Sequence, residues 1–250
     1  MNKHLTVLIL SLPLSVIAQE TVNIYGPGGP APAIQESAEQ FQKKYGVTVN
    51  VTFGPQNKWQ EKAKQNADLI FSGSEVMLDQ LKKDFHLTNS AALYMRPASI
   101  LVRKGNPKNI SGIKSLLRDN VKVMVVNGAG QSGLWEDVIG RTGNVTDINN
   151  INNKIVFYAN SSAEAEKRWK DDSSIDAWII WNHWQYKLKD STDLILIEPQ
   201  YRIYRPVSIA YTPAGINNKQ AKEFFKFLSS DEAKAIFNSH GWKTSWDVNY

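Results

Sequence analysis

Cysteine is absent from all 250 residues. No disulfide, thiolate nucleophile or cysteine-held metal is therefore available, and an exported fold of this sequence must be held by packing alone. Histidine is scarce: His4 lies in the N-terminal leader, leaving His86, His183 and His240 at spacings that fit no metal motif. No Gly-x-Ser-x-Gly elbow occurs. The nearest string, Gly130-Gln131-Ser132-Gly133, follows a turn, and no Asp/His order supports it. Glu136 and Asp137 are adjacent on a helix and point apart, so they do not form a catalytic pair. A phosphate loop ending in Gly-Lys-Ser/Thr is missing, as is the dinucleotide fingerprint. These absences predict a protein with no catalytic residues, no metal and no cofactor; a hydrolase would have only Ser132 and His183 to work with.

Beyond the leader no apolar run is long enough to span a bilayer. A basic stripe is lacking too: 29 Lys and Arg against 24 Asp and Glu give a net charge of +5, with acids interspersed, as in Glu164-Ala165-Glu166-Lys167-Arg168. That pattern excludes nucleic acid as a partner, while the mild positive excess favours small anions by long-range field.

What is present begins with an address. Met1-Asn2-Lys3-His4 precedes an apolar stretch from Leu5 to Ile17 and ends in Ala18, the pattern of a secretory signal cleaved after Ala18 to leave Gln19 first. With no cysteine, the expected location is the periplasm of a Gram-negative bacterium.

The mature chain is organised around Tyr25-Gly26-Pro27-Gly28-Gly29-Pro30. The strand Val22–Tyr25 enters it, and a helix with Ile34, Ala38, Phe41 and Tyr45 on one face leaves it. Glycines able to take positive φ, a proline in the first helical turn and the positive end of a helix dipole make this an anion seat. Two more strands end in the same way, Val47–Phe53 at Gly54-Pro55-Gln56 and Ala67–Phe71 at Ser72-Gly73-Ser74. Strand ends of this kind gather ligands in open α/β sheets.

A second α/β unit follows. Its strand Val121–Val126 leads to the turn Asn127–Gly133 and a helix from Leu134 to Gly140. Strand Lys154–Tyr158 leads to Ser161-Ser162, with Ser162 as helix cap and Glu164 and Glu166 in the first turn. Strand Ala177–Trp181 leads to Asn182-His183. Between the units run two extended segments of like sequence, Arg96-Pro97-Ala98-Ser99-Ile100 and Arg205-Pro206-Val207-Ser208-Ile209, which read as a pair of hinge strands. The expected architecture is α/β and two-lobed, each lobe a mainly parallel sheet flanked by helices. Residues 19–96 with 207–250 form lobe I and 97–206 form lobe II. The tail helices, with Phe224, Phe227, Leu228, Ala233, Ile236 and Phe237, pack back on lobe I.

Hydrogen-bond donors collect at the cleft-facing turns. The candidate ligand-binding residues are Gly28, Gly29, Gln56, Ser72, Ser74, Gly130, Ser132, Ser161 and Ser162, with Trp181 and Asn182 as a wall and Arg96 and Arg205 supplying charge suited to carboxylate or phosphate. Four or more such bonds must act together, since micromolar affinity needs about 8 kcal/mol net and association itself costs at least about 4 kcal/mol. Trp59, Trp135, Trp169, Trp178 and Trp242 read as core packing.

Several of these stretches together resemble the accessory colonisation factor AcfC family, which includes antigenic binding proteins of epsilon-proteobacteria. They are Ile24–Pro30, Phe53-Gly54-Pro55-Gln56 with Trp59, Ala67–Phe71, Trp135–Thr142, Asp176–Ile179 and Ala235–Phe237 with Gly241-Trp242. The resemblance implies a type II periplasmic solute-binding fold, distantly similar to molybdate and sulfate binders. Its implied ligands are small anions: a sulfate-like oxyanion, citrate, phosphoglycerate or an acidic amino acid. An ABC-type permease or chemoreceptor is the implied recipient, a homodimer the implied assembly, and colonisation and chemotaxis the implied setting. That family carries a longer Asn-Thr-Ser-Gly-Thr-Gly loop where this chain has Gln131-Ser132-Gly133-Leu134, so loop positions transfer and the substrate does not. The alternative reading is a surface adhesin on the same fold with a non-essential cleft.

Overall fold

The computed structural model describes residues 21–128 and 130–246; the leader read at residues 1–18 lies outside them. In chain order the elements are β1 Thr21–Gly26, α1 Ala31–Tyr45, β2 Thr48–Phe53, α2 Gln60–Asn66, β3 Leu69–Ser72, α3 Glu75–Phe85 and the long β4 Thr88–Arg103. Then come α4 Ile113–Leu116, β5 Val123–Val126, α5 Leu134–Gly140, α6 Val145–Lys154, β6 Ile155–Ala159, α7 Ser162–Asp171, β7 Ala177–Trp181 and α8 Trp184–Lys187. The chain closes with β8 Thr192–Leu196, β9 Tyr204–Tyr211, α9 Lys219–Phe227 and α10 Asp231–Ser239.

The strands run in the order β2-β1-β3-β9-β4-β7-β5-β6, with β8 also on β4. β1 pairs in parallel with β2 and β3, and β5 in parallel with β6 and β7. The crossing strands are antiparallel. β4 pairs with β9 up to Pro97 and then, from Ala98 onward, with β7 and β8, so one strand passes from one half of the sheet to the other.

Neighbouring residues on each strand go to opposite faces, and both faces are covered, which explains the unbroken apolar runs. In the first half Ile24, Leu69 and Ile209 join Phe41, Phe224 and Phe237 beneath α1, α9 and α10. Tyr25, Ile70 and Ala210 face the other way, toward Trp59, Leu78 and Leu81. In the second half Ile100, Val125 and Ile179 pack with Val138 and Ile151, while Leu101, Val126 and Ile180 pack with Ala165 and Trp169. The tail helices dock on the first half as their apolar faces require; Phe237 stacks on Tyr94 at 3.9 Å, and the Tyr94 hydroxyl donates to the Leu228 carbonyl at 2.6 Å.

Three local expectations change. The cap of α7 is Ser161, whose oxygen accepts from the Glu164 amide at 3.2 Å, one residue before the Ser162 expected, because the helix already includes Ser162. Glu166 instead bridges Lys170 and Lys187. Gly28 and Gly29 are not among the residues with positive φ: Pro30 is already in the right-handed helical region, so the turn needs no left-handed residue. The glycine required by close approach is Gly26, where a Cβ would stand 2.5 Å from the Phe71 carbonyl oxygen.

Candidate functional site

The ends of β1, β2 and β3 open onto one side of the sheet, and the loop after β5 faces them there. Between them is a cavity of about 440 Å³, within the range of small-molecule sites. Pro27, Gln56 and Ser74 line it from the first half of the sheet, Gly130 and Ser132 from the second, and Arg205 from the crossing strand. Trp59 and Met77 add apolar wall.

Several polar groups there have defined partners. Ser74 caps α3, its oxygen accepting from the Met77 amide at 3.2 Å, which leaves its hydroxyl hydrogen for the cavity. Gln56 gives its amide to Asp84 at 2.8 Å. Arg205 donates to the Gly130 carbonyl at 2.8 Å and to Asp137 at 3.1 Å. Gly130 has a φ of 77°, a conformation that suits glycine at this turn.

Arg96 pairs in register with Arg205 across β4 and β9 and is only 4% exposed. Its guanidinium lies between the rings of Trp181, at 4.7 Å, and Trp242, at 4.4 Å. One nitrogen donates to the Gly73 carbonyl at 3.1 Å. Nε and Nη1 are buried with no hydrogen-bond partner. Burial, and secondarily the charge of Arg205, pulls its pKa down to about 9, so it is still protonated at neutral pH. His183 stacks on Trp242 at 5.4 Å with both ring nitrogens buried and unpartnered. Burial first, then Arg96 and His240, hold its pKa well below the ordinary range.

The sequence-derived residues thus divide. Gln56, Ser74, Gly130, Ser132 and Arg205 line the cavity. Gly28 and Gly29 line a separate crevice beside His183. Ser72 is buried and turned to the Ser208 carbonyl. Ser161 is committed to its helix cap, and Ser162 accepts the Gln131 amide. Asn182 is buried and donates to the Gly241 carbonyl at 2.7 Å. Trp181 is no wall: it is buried beneath both arginines. For Ser72, Ser161 and Asn182 the cause is shared: a hydroxyl or amide at a strand end satisfies nearby backbone before it serves a ligand. Sequence reasoning missed Met77 as lining and Trp242 as the second face of the Arg96 clamp. An apolar face on α3 and the Gly241-Trp242 turn were visible, but nothing in them told pocket from core.

Among the described residues no cluster of His, Asp and Glu could hold a metal ion, and no helix is long and apolar enough to cross a membrane.

Residues 22–243 match the family described as bacterial extracellular solute-binding protein. Peb3 from Campylobacter jejuni is 38% identical over 90% of this chain and 100% of its own, with a TM-score of 0.81. A structure of L-phospholactate-bound PEB3 is likewise 38% identical over 90% and 100%, with a TM-score of 0.80. The sulfate-binding protein SubI from Mycobacterium tuberculosis, 17% identical over 89% of this chain and 86% of its own, shares the fold at a TM-score of 0.72. No curated protein matches the chain. The mixed α/β sheet is that of the type II periplasmic binding proteins, and the chain belongs to the bacterial extracellular solute-binding proteins.

Proposed function

We propose that this solute-binding protein captures a small anion in the cavity between the two halves of its sheet. One observation carries the reading: Arg96, buried just outside the cavity lining, is cationic at neutral pH and has two donor nitrogens without partners, while among the described residues Asp137 is the carboxylate that pairs with the nearby Arg205. A buried unpaired charge is costly, and an anion lying against it removes that cost. The Ser74 hydroxyl and the Gly130–Ser132 turn would complete the shell. The phospholactate carried by one relative and the sulfate bound by a fold neighbour fit this chemistry.

The candidate ligands are an oxyanion such as sulfate, a small carboxylate or phosphate metabolite such as citrate or phosphoglycerate, and an acidic amino acid. The two halves act as lobes, residues 19–96 with 207–250 and 97–206, hinged at β4 and β9. Closure brings both donor sets onto one guest and excludes water. The protein works in the periplasm and hands its anion to an ABC-type permease or a chemoreceptor, in the colonisation setting that the AcfC likeness implies. A thermal-shift screen of the mature chain against these anions tests the reading. At least one raises the melting temperature in proportion to its concentration; if none does, the adhesin reading takes its place.

A further inference from the structure

Across the β1–α1 turn from the arginine cavity lies a second crevice of about 410 Å³, and the two share no lining residue. Its wall is aromatic: Phe53, Trp184, Tyr186 and Trp242, with the His183 ring among them. Phe53 and Tyr186 are exposed at 45% and 44%, large rings left facing water at a crevice mouth. Both nitrogens of His183 are shut off from solvent without a partner. The imidazole is neutral because burial, Arg96 and His240 oppose its protonation, so it offers one donor and one acceptor. Gly28 and Gly29, just ahead of the 15-residue α1, also line the crevice. A Cβ on Gly29 would come within 3.3 Å of His183 Nε2, so its absence keeps that space open.

The charges around the crevice set the sign of its guest. Lys187 pairs with Glu166 and His240 with Glu36, which leaves Arg96, beyond Trp242, as a nearby charge that no carboxylate of the described residues meets. Arg96 and Lys187 already lie over the Trp242 and Trp184 rings, at 4.4 and 5.3 Å, so a further cation such as a quaternary ammonium is disfavoured there.

We propose that this crevice is a second ligand site, taking a small aromatic carboxylate whose ring packs among Tyr186, Trp184 and Phe53 and whose carboxylate meets the Gly28–Gly29 amides and a His183 N–H. The test is titration of the mature chain with benzoate, followed by tryptophan fluorescence, with cyclohexanecarboxylate as a probe of equal charge and no ring current or π-face. Benzoate should saturate with a Kd of about 1 mM or tighter and bind more strongly than cyclohexanecarboxylate. Tyr186→Ala, at an exposed position, and His183→Phe, which keeps the aromatic wall, should each weaken benzoate binding about tenfold. Arg205→Ala should leave it unchanged. Absence of saturation, equal affinity for the two acids, or benzoate binding lost in Arg205→Ala and retained in Tyr186→Ala would overturn the proposal. The last of these outcomes would place the acid in the first cavity.

Discussion

Arg96 and Arg205 stand opposite one another on the antiparallel pair β4–β9, and the ring of Trp181 lies beneath both, 4.7 Å from one guanidinium and 5.3 Å from the other. Like charges directly across a strand pair repel. The arrangement is stable because Trp181 and Trp242 take the faces of Arg96 and Asp137 takes part of Arg205. What remains unmet is the Arg96 edge, and the predictions follow from it.

Arg205→Ala should weaken binding of the anion by about tenfold or more, equivalent to about 1.4 kcal/mol. The melting temperature should fall only slightly, because the variant loses one hydrogen bond to the Gly130 carbonyl and a partly exposed pair with Asp137, which contributes little. Calorimetric titration beside a thermal melt checks both, and an unchanged affinity removes Arg205 from the site.

Replacing Arg96 by methionine should abolish measurable anion binding and leave the unliganded protein as stable as before or more so. A buried charge with unmet donors costs the fold more than a methionine of similar length. A large drop in melting temperature would mark Arg96 as structural instead.

Affinity should depend on pH through Arg96. Its pKa in the unliganded fold is about 9, and a bound anion raises it again. Binding is therefore strongest below that value and weakens as pH climbs through it. Near pH 9, association takes up protons. Titrations in buffers of different ionisation enthalpy measure that uptake directly; proton release would contradict it.

His183 gives a separate pH signature. Its folded pKa lies well below the ordinary 6.5, so the unfolded chain binds a proton that the folded one rejects. Stability is intact above that value and falls as pH drops beneath it. The groups facing the imidazole are Arg96, which opposes protonation, and His240, held by Glu36. Melting temperature should decline from neutral pH toward pH of about 5, and His183→Phe should flatten that decline.

Much of the scaffold was legible because its signals are local. β7 and β9 occupy the spans their apolar runs mark, Ala177–Trp181 and Tyr204–Tyr211, and α5 ends at the expected residue. Helix α6 was not foreseen, since Val145-Thr146-Asp147-Ile148-Asn149-Asn150 is poor in helix formers. The Asn144 cap and the burial of Ile151 set it in place. β8 was not foreseen, because its order comes from pairing beside β4, a long-range term. The site was harder still: Gly130 lies where turn chemistry put it, and Arg205 on the crossing strand that the Arg-Pro repeat marked. Whether Ser72, Ser162 or Asn182 faces a ligand or another protein group is decided by tertiary neighbours.

The most direct measurement is the Arg Nε–H region of a proton–nitrogen NMR spectrum, recorded while an anion that raises the melting temperature is added. The account predicts that the Arg96 signal, assigned by its loss in Arg96→Met, shifts and becomes protected from solvent exchange as the site fills. Saturable binding with that signal unmoved would contradict it.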